Sequence, residues 1–329
     1  MKILPAIAAV LLCTAVGATE RRSFHAIRID APPVIDGKLD DACWQLSKVA
    51  DDFRRFTEGT PAHEPSQARA LYDGSRLYFG FRCQEPRMDL VRRDVQRNPS
   101  AFNYAYGNTI EVFLDPGGSK KHYWQFMVNT NGATTTNLAT HDIMHLGDLP
   151  WQAKTFLGDD FFSIEMAISF PILHLKPEAG KAWGVNFCRA RQIGKQESAY
   201  MYSSWQPMRG SFLRPDLFGT LHIDADLSRF MYAVSVPADL PTGERCLLAV
   251  TNLTGKPARI RVKTHITPQQ GEPRRDLATL NLARAETVKL DLGISRPEDI
   301  GAQMRVEIVD AVSEEQLFLG ATQTVDETH

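Results

Sequence analysis

Apolar and polar residues alternate with period two through most of this chain, in short runs broken by Gly, Pro, Asn and Asp, which leaves room for little besides β-structure. Between Ala26 and about Ala225 the runs are Ala68–Tyr72, Leu77–Cys83, Thr109–Asp115, Tyr123–Asn129, Phe162–Ile168, Gly184–Arg191 and Gly219–Ile223. A strand sends successive side chains to opposite faces, so each run can bury one face and keep the other polar. Only short helices are expected. One follows Asp40, with Asp40 or Asp41 accepting from the free amides of the first turn, and one follows Pro171.

After Phe230 a second series begins: Leu247–Asn252, Ala258–Ile266, Thr279–Leu282, Thr287–Leu292, Met304–Val309 and Gln316–Thr322. Many short strands with regular turns indicate sandwiches, and this second series has the size of an immunoglobulin-like one. The chain therefore reads as all-β, with a sandwich over 24–228 and a smaller immunoglobulin-like β-sandwich over 229–329. The second carries no Trp and no cluster suited to catalysis, so its expected role is as a spacer or as a dock for a protein partner.

The first 18 residues have the pattern of a signal peptide: Lys2, an apolar stretch from Ile3 to Leu12, and small residues at Val16-Gly17-Ala18. Cleavage after Ala18 and a secreted or periplasmic location are expected. The apolar stretch is too short for a membrane span, and no other segment qualifies. Cys43, Cys83, Cys188 and Cys246 stay in the mature chain without a CxxC pair, and read as buried thiols with one disulfide left open. A net charge of -2 without a Lys/Arg cluster argues against nucleic acid as partner.

The stretch Asn108–Gly132 says most about function. Ile110, Val112 and Leu114 share one face with Trp124, Phe126 and Val128, which is core. The other face gathers Thr109, Glu111 and Phe113 with Tyr123, Gln125, Met127 and Asn129, material better suited to holding hydroxyl groups than to burial. A solvated sheet face is the plainer reading of the same residues. Other chemistries fit less well. A glycosidase needs two matched carboxylates, and Glu111, Asp115 and Glu165 show no pairing, so no catalytic residue is assigned. His141 and His145 lack the Glu of the zinc-protease pattern and sit in what reads as a loop, Thr134–Leu149. No cofactor is assigned. Asp36, Asp40 and Asp41 crowd one turn, offering hard oxygens to a structural calcium ion, although a turn and a helix cap use the same residues.

Several motifs occur in a fixed order: VIDGKLDDACWQ (34–45), ARALYDGSRLYFGFRCQEP (68–86), NTIEVFLDP, YWQFMVNTNG, PWQAKTFLGDDFFSIEMAISF (150–170), WGVNFCRAR (183–191) and SSWQP…FLRPDLFGTL (203–221). Over about 200 residues this series resembles the family 9 carbohydrate-binding modules and the related DOMON-like antiparallel β-sandwiches. The resemblance implies a glycan ligand, or its end, held on one sheet face between aromatic rings. By position it puts the family's carboxylate on Glu111, its asparagine on Asn129 and one of its tryptophans on Phe212. The second tryptophan falls near Ala105, flanked by Tyr104 and Tyr106, and the family's arginine falls on Met127. Aromatic rings cover a C–H face of a pyranose, and carboxylates and amides pair with its hydroxyls. A non-catalytic carbohydrate-binding protein is the resulting expectation. A protein-docking sandwich with a vestigial ligand face, or a haem carrier using Met127, stands as the alternative.

Overall fold

The computed structural model describes residues 21–56, 59–91, 108–139, 143–147, 149–194, 201–208, 210–235, 246–268, 271–292 and 302–323. The first unit contains β1 (Ser23–His25), β2 (Ile27–Arg28), β3 (Arg54–Arg55), β4 (Ser66–Tyr72), β5 (Arg76–Gln84), β6 (Thr109–Asp115) and β7 (Tyr123–Asn129). It continues with β8 (Thr134–Ala139), β9 (Ile143–Gly147), β10 (Gln152–Leu157), β11 (Phe161–Ser169), β12 (Ala182–Arg191), β13 (Met201–Ser204) and β14 (Gly219–His222). The second holds β15 (Tyr232–Ser235), β16 (Leu247–Asn252), β17 (Ala258–Thr267), β18 (Arg274–Leu282), β19 (Thr287–Asp291), β20 (Gln303–Asp310) and β21 (Gln316–Gln323). No described helix is long and apolar enough to cross a membrane.

Two sheets face each other in the first unit. One runs β1-β14-β12-β6-β7-β8-β9, with β13 and β3 extending from β12; the other runs β10-β11-β5-β4-β2. The alternation in β6 and β7 sends Ile110, Val112, Leu114, Trp124, Phe126 and Val128 inward, where they meet Phe79, Phe81, Phe162, Ile164 and Met166. Phe187 of β12 stands edge-on to Phe79 and Phe81 across the gap, both at 5.6 Å between centroids. Each such ring contributes about 2 kcal/mol by leaving water.

The outer face of the smaller sheet is also covered. The segment before β3 lays Trp44 and Ile29 over Leu71, Tyr78 and Ala167. Glu165 of β11 anchors that segment: its carboxylate accepts from Asp36 N at 2.8 Å, Gly37 N at 2.7 Å and Trp44 Nε1 at 2.7 Å. Gly37 has φ of +95°. A Cβ there would stand 2.7 Å from the backbone of Phe156, so only glycine fits.

A buried ion cluster ties the two sheets at one end. Glu85, next after β5, takes two bonds from Arg191, Nε at 2.7 Å and Nη2 at 2.8 Å, and one from Arg189 Nη2 at 3.1 Å. All three side chains are buried. The second unit packs the sheet β15-β16-β19 against β18-β17-β20-β21 around Leu248, Val250, Ile260, Val262, Met304 and Ile308. Its β21 reaches back, and Leu319 joins the core of the first unit.

Several expectations change. Thr134–Leu149 is not a loop: it contains β8, a largely polar strand, and β9, the edge strand of the larger sheet. Strands β10, β13 and β15 were also invisible to apolar alternation; β10 is an edge strand without a buried residue, and β13 is a short polar run. The helices near Asp40 and Pro171 are single 3₁₀ turns, Ala42–Leu46 and Phe170–Leu173. Asp41 stands at the cap position without capping; its carboxylate accepts from Val34 N at 2.9 Å instead. The cysteines Cys43, Cys83, Cys188 and Cys246 are all free thiols. The segments bearing the signal pattern, Tyr104, Tyr106 and His141 lie outside the described residues.

Candidate functional site

The outward face of β6 and β7 is not a solvated one. Register sets Thr109 opposite Asn129, Glu111 opposite Met127 and Phe113 opposite Gln125. Neighbouring strands extend these rows: β12 brings Cys188 beside Glu111, β8 brings Thr135 beside Met127 and Asn137 beside Gln125, and β9 brings His145 opposite Asn137. Glu111 (7% exposed), Gln125 (6%) and Asn137 (8%) are all buried.

A directional ladder joins them. Asn137 Nδ2 donates to Gln125 Oε1 at 2.8 Å, and Gln125 Nε2 donates to Glu111 Oε2 at 2.7 Å. The amide of Gln125 is thereby oriented, with its acceptor toward β8 and its donor toward β6. Burial pushes the Glu111 carboxyl up to about 7, with the Gln125 bond pulling the other way. The Cys188 thiol is raised well above its usual value by burial and then by Glu111.

Asn129 is on the same face, diagonal to Glu111, but its carbonyl is already engaged. Oδ1 accepts from Asn131 N at 2.9 Å and Ala133 N at 3.0 Å, shaping the turn into β8. Its Nδ2 is buried without a hydrogen-bond partner among the described residues. Asn129 can therefore offer a donor, not the donor–acceptor pair expected from its amide. Met127, partly buried, lies in the row between Glu111 and Thr135.

Phe212 stands over one end of this face. Its half-buried ring meets Phe56 at 4.9 Å, Tyr202 at 5.7 Å and Phe113 at 6.4 Å between centroids, all edge-on. Tyr202 is 39% exposed. Its phenol is shifted upward by burial and then by the charge of Glu111, which places the two near each other. Sequence reasoning missed Asn137, Tyr202 and Phe56. Asn137 was lost with the polar strand that carries it, although Thr135, Asn137 and Ala139 do alternate with Thr136 and Leu138. Trp151 lies in the core, edge-on to Phe126 at 5.4 Å, with Nε1 donating to Thr136 Oγ1 at 2.8 Å.

The other carboxylates have structural partners. Glu165 belongs to the opposite sheet and holds three N–H groups. Asp115 accepts from Lys120 N at 2.7 Å and Ser119 Oγ at 3.2 Å in the turn after β6. Asp36 accepts from Lys38 N and pairs with the Lys38 ammonium at 3.1 Å. Among the described residues no group of three or more His, Cys, Asp and Glu side chains could hold a metal ion.

Two packed sheets, with a recessed polar ladder and aromatic rings on the outer side of the larger one, define a β-sandwich. The chain belongs to the carbohydrate family 9 binding domain-like family, whose model matches residues 35–225. Among solved structures, a Bacteroides uniformis protein described as carbohydrate-binding is similar at 15% identity and a TM-score of 0.50, over 62% of this chain and 99% of that one. A family 9 carbohydrate-binding module from Caldicellulosiruptor kristjanssonii, in complex with cellotriose, is 21% identical over 62% of this chain and 95% of its own, with a TM-score of 0.46. The same module in complex with glucose gives 20% identity and a TM-score of 0.46, over 62% of this chain and 97% of its own. Comparison with curated proteins finds no match.

Proposed function

We propose that the face built on Glu111, Gln125 and Asn137 binds a carbohydrate without cleaving it. The observation that carries this reading is the ladder itself: three polar side chains, buried and mutually oriented, beside partly exposed aromatic rings. A sheet face that only meets water has no use for such order, whereas vicinal hydroxyls need acceptors and donors at fixed spacing. Tyr202 and Phe212 would cover the C–H face of the sugar. Family membership supports the same ligand class. Glucose and cellotriose, held by a family member, are the first ligands to try.

With Phe and Tyr rings rather than tryptophans, binding should be weak, about ten micromolar to one millimolar. Titration calorimetry with cello-, xylo-, manno- and galacto-oligosaccharides tests this. Glu111→Ala should weaken the best ligand at least about tenfold, the worth of one charge-assisted bond, and Gln125→Ala about threefold or more, the worth of a neutral one. Unchanged affinity in both variants would refute the site.

The reading extends to the rest of the chain. Its amino-terminal pattern supports export to the periplasm or medium, in the use of polysaccharides. The strand order of the second unit, three strands facing four, supports an immunoglobulin-like sandwich that docks a protein partner or spaces the module.

A further inference from the structure

The second unit presents a charged face that the carbohydrate reading of the first does not use. His265 of β17 pairs with Arg275 of β18 on one side and Arg305 of β20 on the other. Paired residues point to the same side of a sheet, so Arg275, His265 and Arg305 stand abreast, with Lys263 two residues along on the same face. Arg275 Nε donates to His265 Nε2 at 2.8 Å, so that ring nitrogen is the unprotonated one. Together with Asp276, Leu277 and Glu307 these residues line an open cleft of about 490 Å³.

Arg275 and Arg305 flank His265 on this outer face, two strand spacings, or about 10 Å, apart. Lys263 is offset by Glu307 at 3.7 Å, but Arg305 has no ion pair among the described residues. An anion along the rung would pair with it. The lining narrows which anion. Glu307 would repel a dense phosphate backbone, and among the described residues no Phe, Tyr or Trp lines the cleft for a base to stack on. The Glu307 carboxylate, opposite Lys263, would also accept from a hydroxyl, while Leu277, 63% exposed, offers apolar surface to a C–H face. Guanidinium forks match single planar carboxylates. A chain that spaces carboxylates apart, with hydroxyls between them, is a polyuronate. We propose that this face is a second binding site, for an acidic polysaccharide whose carboxylates seat on Arg275 and Arg305. It stands independently of the Glu111 site.

Affinity electrophoresis of the full chain in gels containing polygalacturonate, against gels containing a neutral β-glucan, tests the proposal. At low ionic strength polygalacturonate should retard the protein, and added salt should release it. The Arg275→Ala/Arg305→Ala variant should lose at least tenfold in affinity, while Glu111→Ala is retarded like the parent. Should the alanine variant unfold at the assay temperature, the Arg275→Gln/Arg305→Gln pair, which keeps much of each side chain, carries the same expectation. Absence of retardation for the parent, or equal retardation of parent and double variant, overturns the site. Tighter binding of single-stranded DNA than of polygalacturonate overturns the ligand class.

Discussion

The imidazole of His174 lies flat on the ring of Phe318, with centroids 4.7 Å apart and planes 17° from parallel. His174 ends a 3₁₀ turn of the first unit and Phe318 belongs to β21 of the second, so this stack is a joint between the two sandwiches. Trp124 meets the same imidazole edge-on at 5.0 Å, and His174 Nε2 donates to Leu319 O at 3.1 Å. Burial holds the His174 pKa down to about 4.

That depression makes the joint sensitive to acid. The unfolded chain takes up a proton near pH 6.5 and the folded one only near pH 4, so stability is fully present above pH 6.5 and is lost as pH falls toward 4. The loss should reach about 1–3 kcal/mol. Urea unfolding at pH 7 and pH 4.5 measures it, and His174→Phe should flatten this part of the pH profile.

Glu111 titrates in the opposite sense. Its folded pKa of about 7 lies above the ordinary carboxyl value, so its stabilising contribution is present below pH 4.5 and lost as pH rises through 7. Ionisation gives a stronger acceptor for sugar hydroxyls. Glycan affinity should therefore rise between pH 6 and 8, while Glu111→Gln binds more weakly and without that pH dependence. The same variant should be about 2 kcal/mol more stable than the parent at pH 8. Calorimetry and thermal melts across this range test both effects.

Glu165→Ala should damage the fold without touching the ligand face. It strips the acceptor from Asp36 N, Gly37 N and Trp44 Nε1 together, each in or beside a buried site. A loss of about 3–5 kcal/mol follows, a fall in Tm of roughly 10 °C for a unit of this size. Glu165→Gln, which keeps one carbonyl acceptor, should lose less. Differential scanning calorimetry reads both variants.

Glu85→Ala should be comparably severe. It leaves Arg189 and Arg191 buried without their shared carboxylate, and breaking a buried pair from one side costs about 3–5 kcal/mol. The triple variant Glu85→Leu/Arg189→Met/Arg191→Met should recover much of that loss, because the desolvated charges go together. Chemical unfolding of the two variants separates the effect of an orphaned charge from the net worth of the cluster.

Much of the fold could be read from alternation alone. Strands β6, β7 and β16 begin and end where the pattern does, because turn residues bound them and their inward faces are uniformly apolar. Strand β8 could not be read that way. Thr134–Ala139 has no apolar face of its own and becomes a strand because β7 offers a ladder of backbone groups to pair with. Glu111 and Gln125 were legible as polar positions on one face, and Phe212 as an aromatic falling on a family position. Asn137 and Tyr202 were not, since a hydrogen bond across strands and a ring contact across a loop leave no periodic trace.

Sequence by itself determined the period, hence the all-β class, which side of each long strand is buried, and the family. Tertiary structure decided which polar residues anchor a distant segment and which stay together on the outer face. Glu165 and Glu111 look alike in their alternating strands. Only the packing of the Asp36–Trp44 segment gives the first three donors, while the second sits desolvated with Gln125. The reason is physical: side-chain direction follows from local backbone geometry, but the solvation of a carboxylate depends on whatever distant segments fold over it.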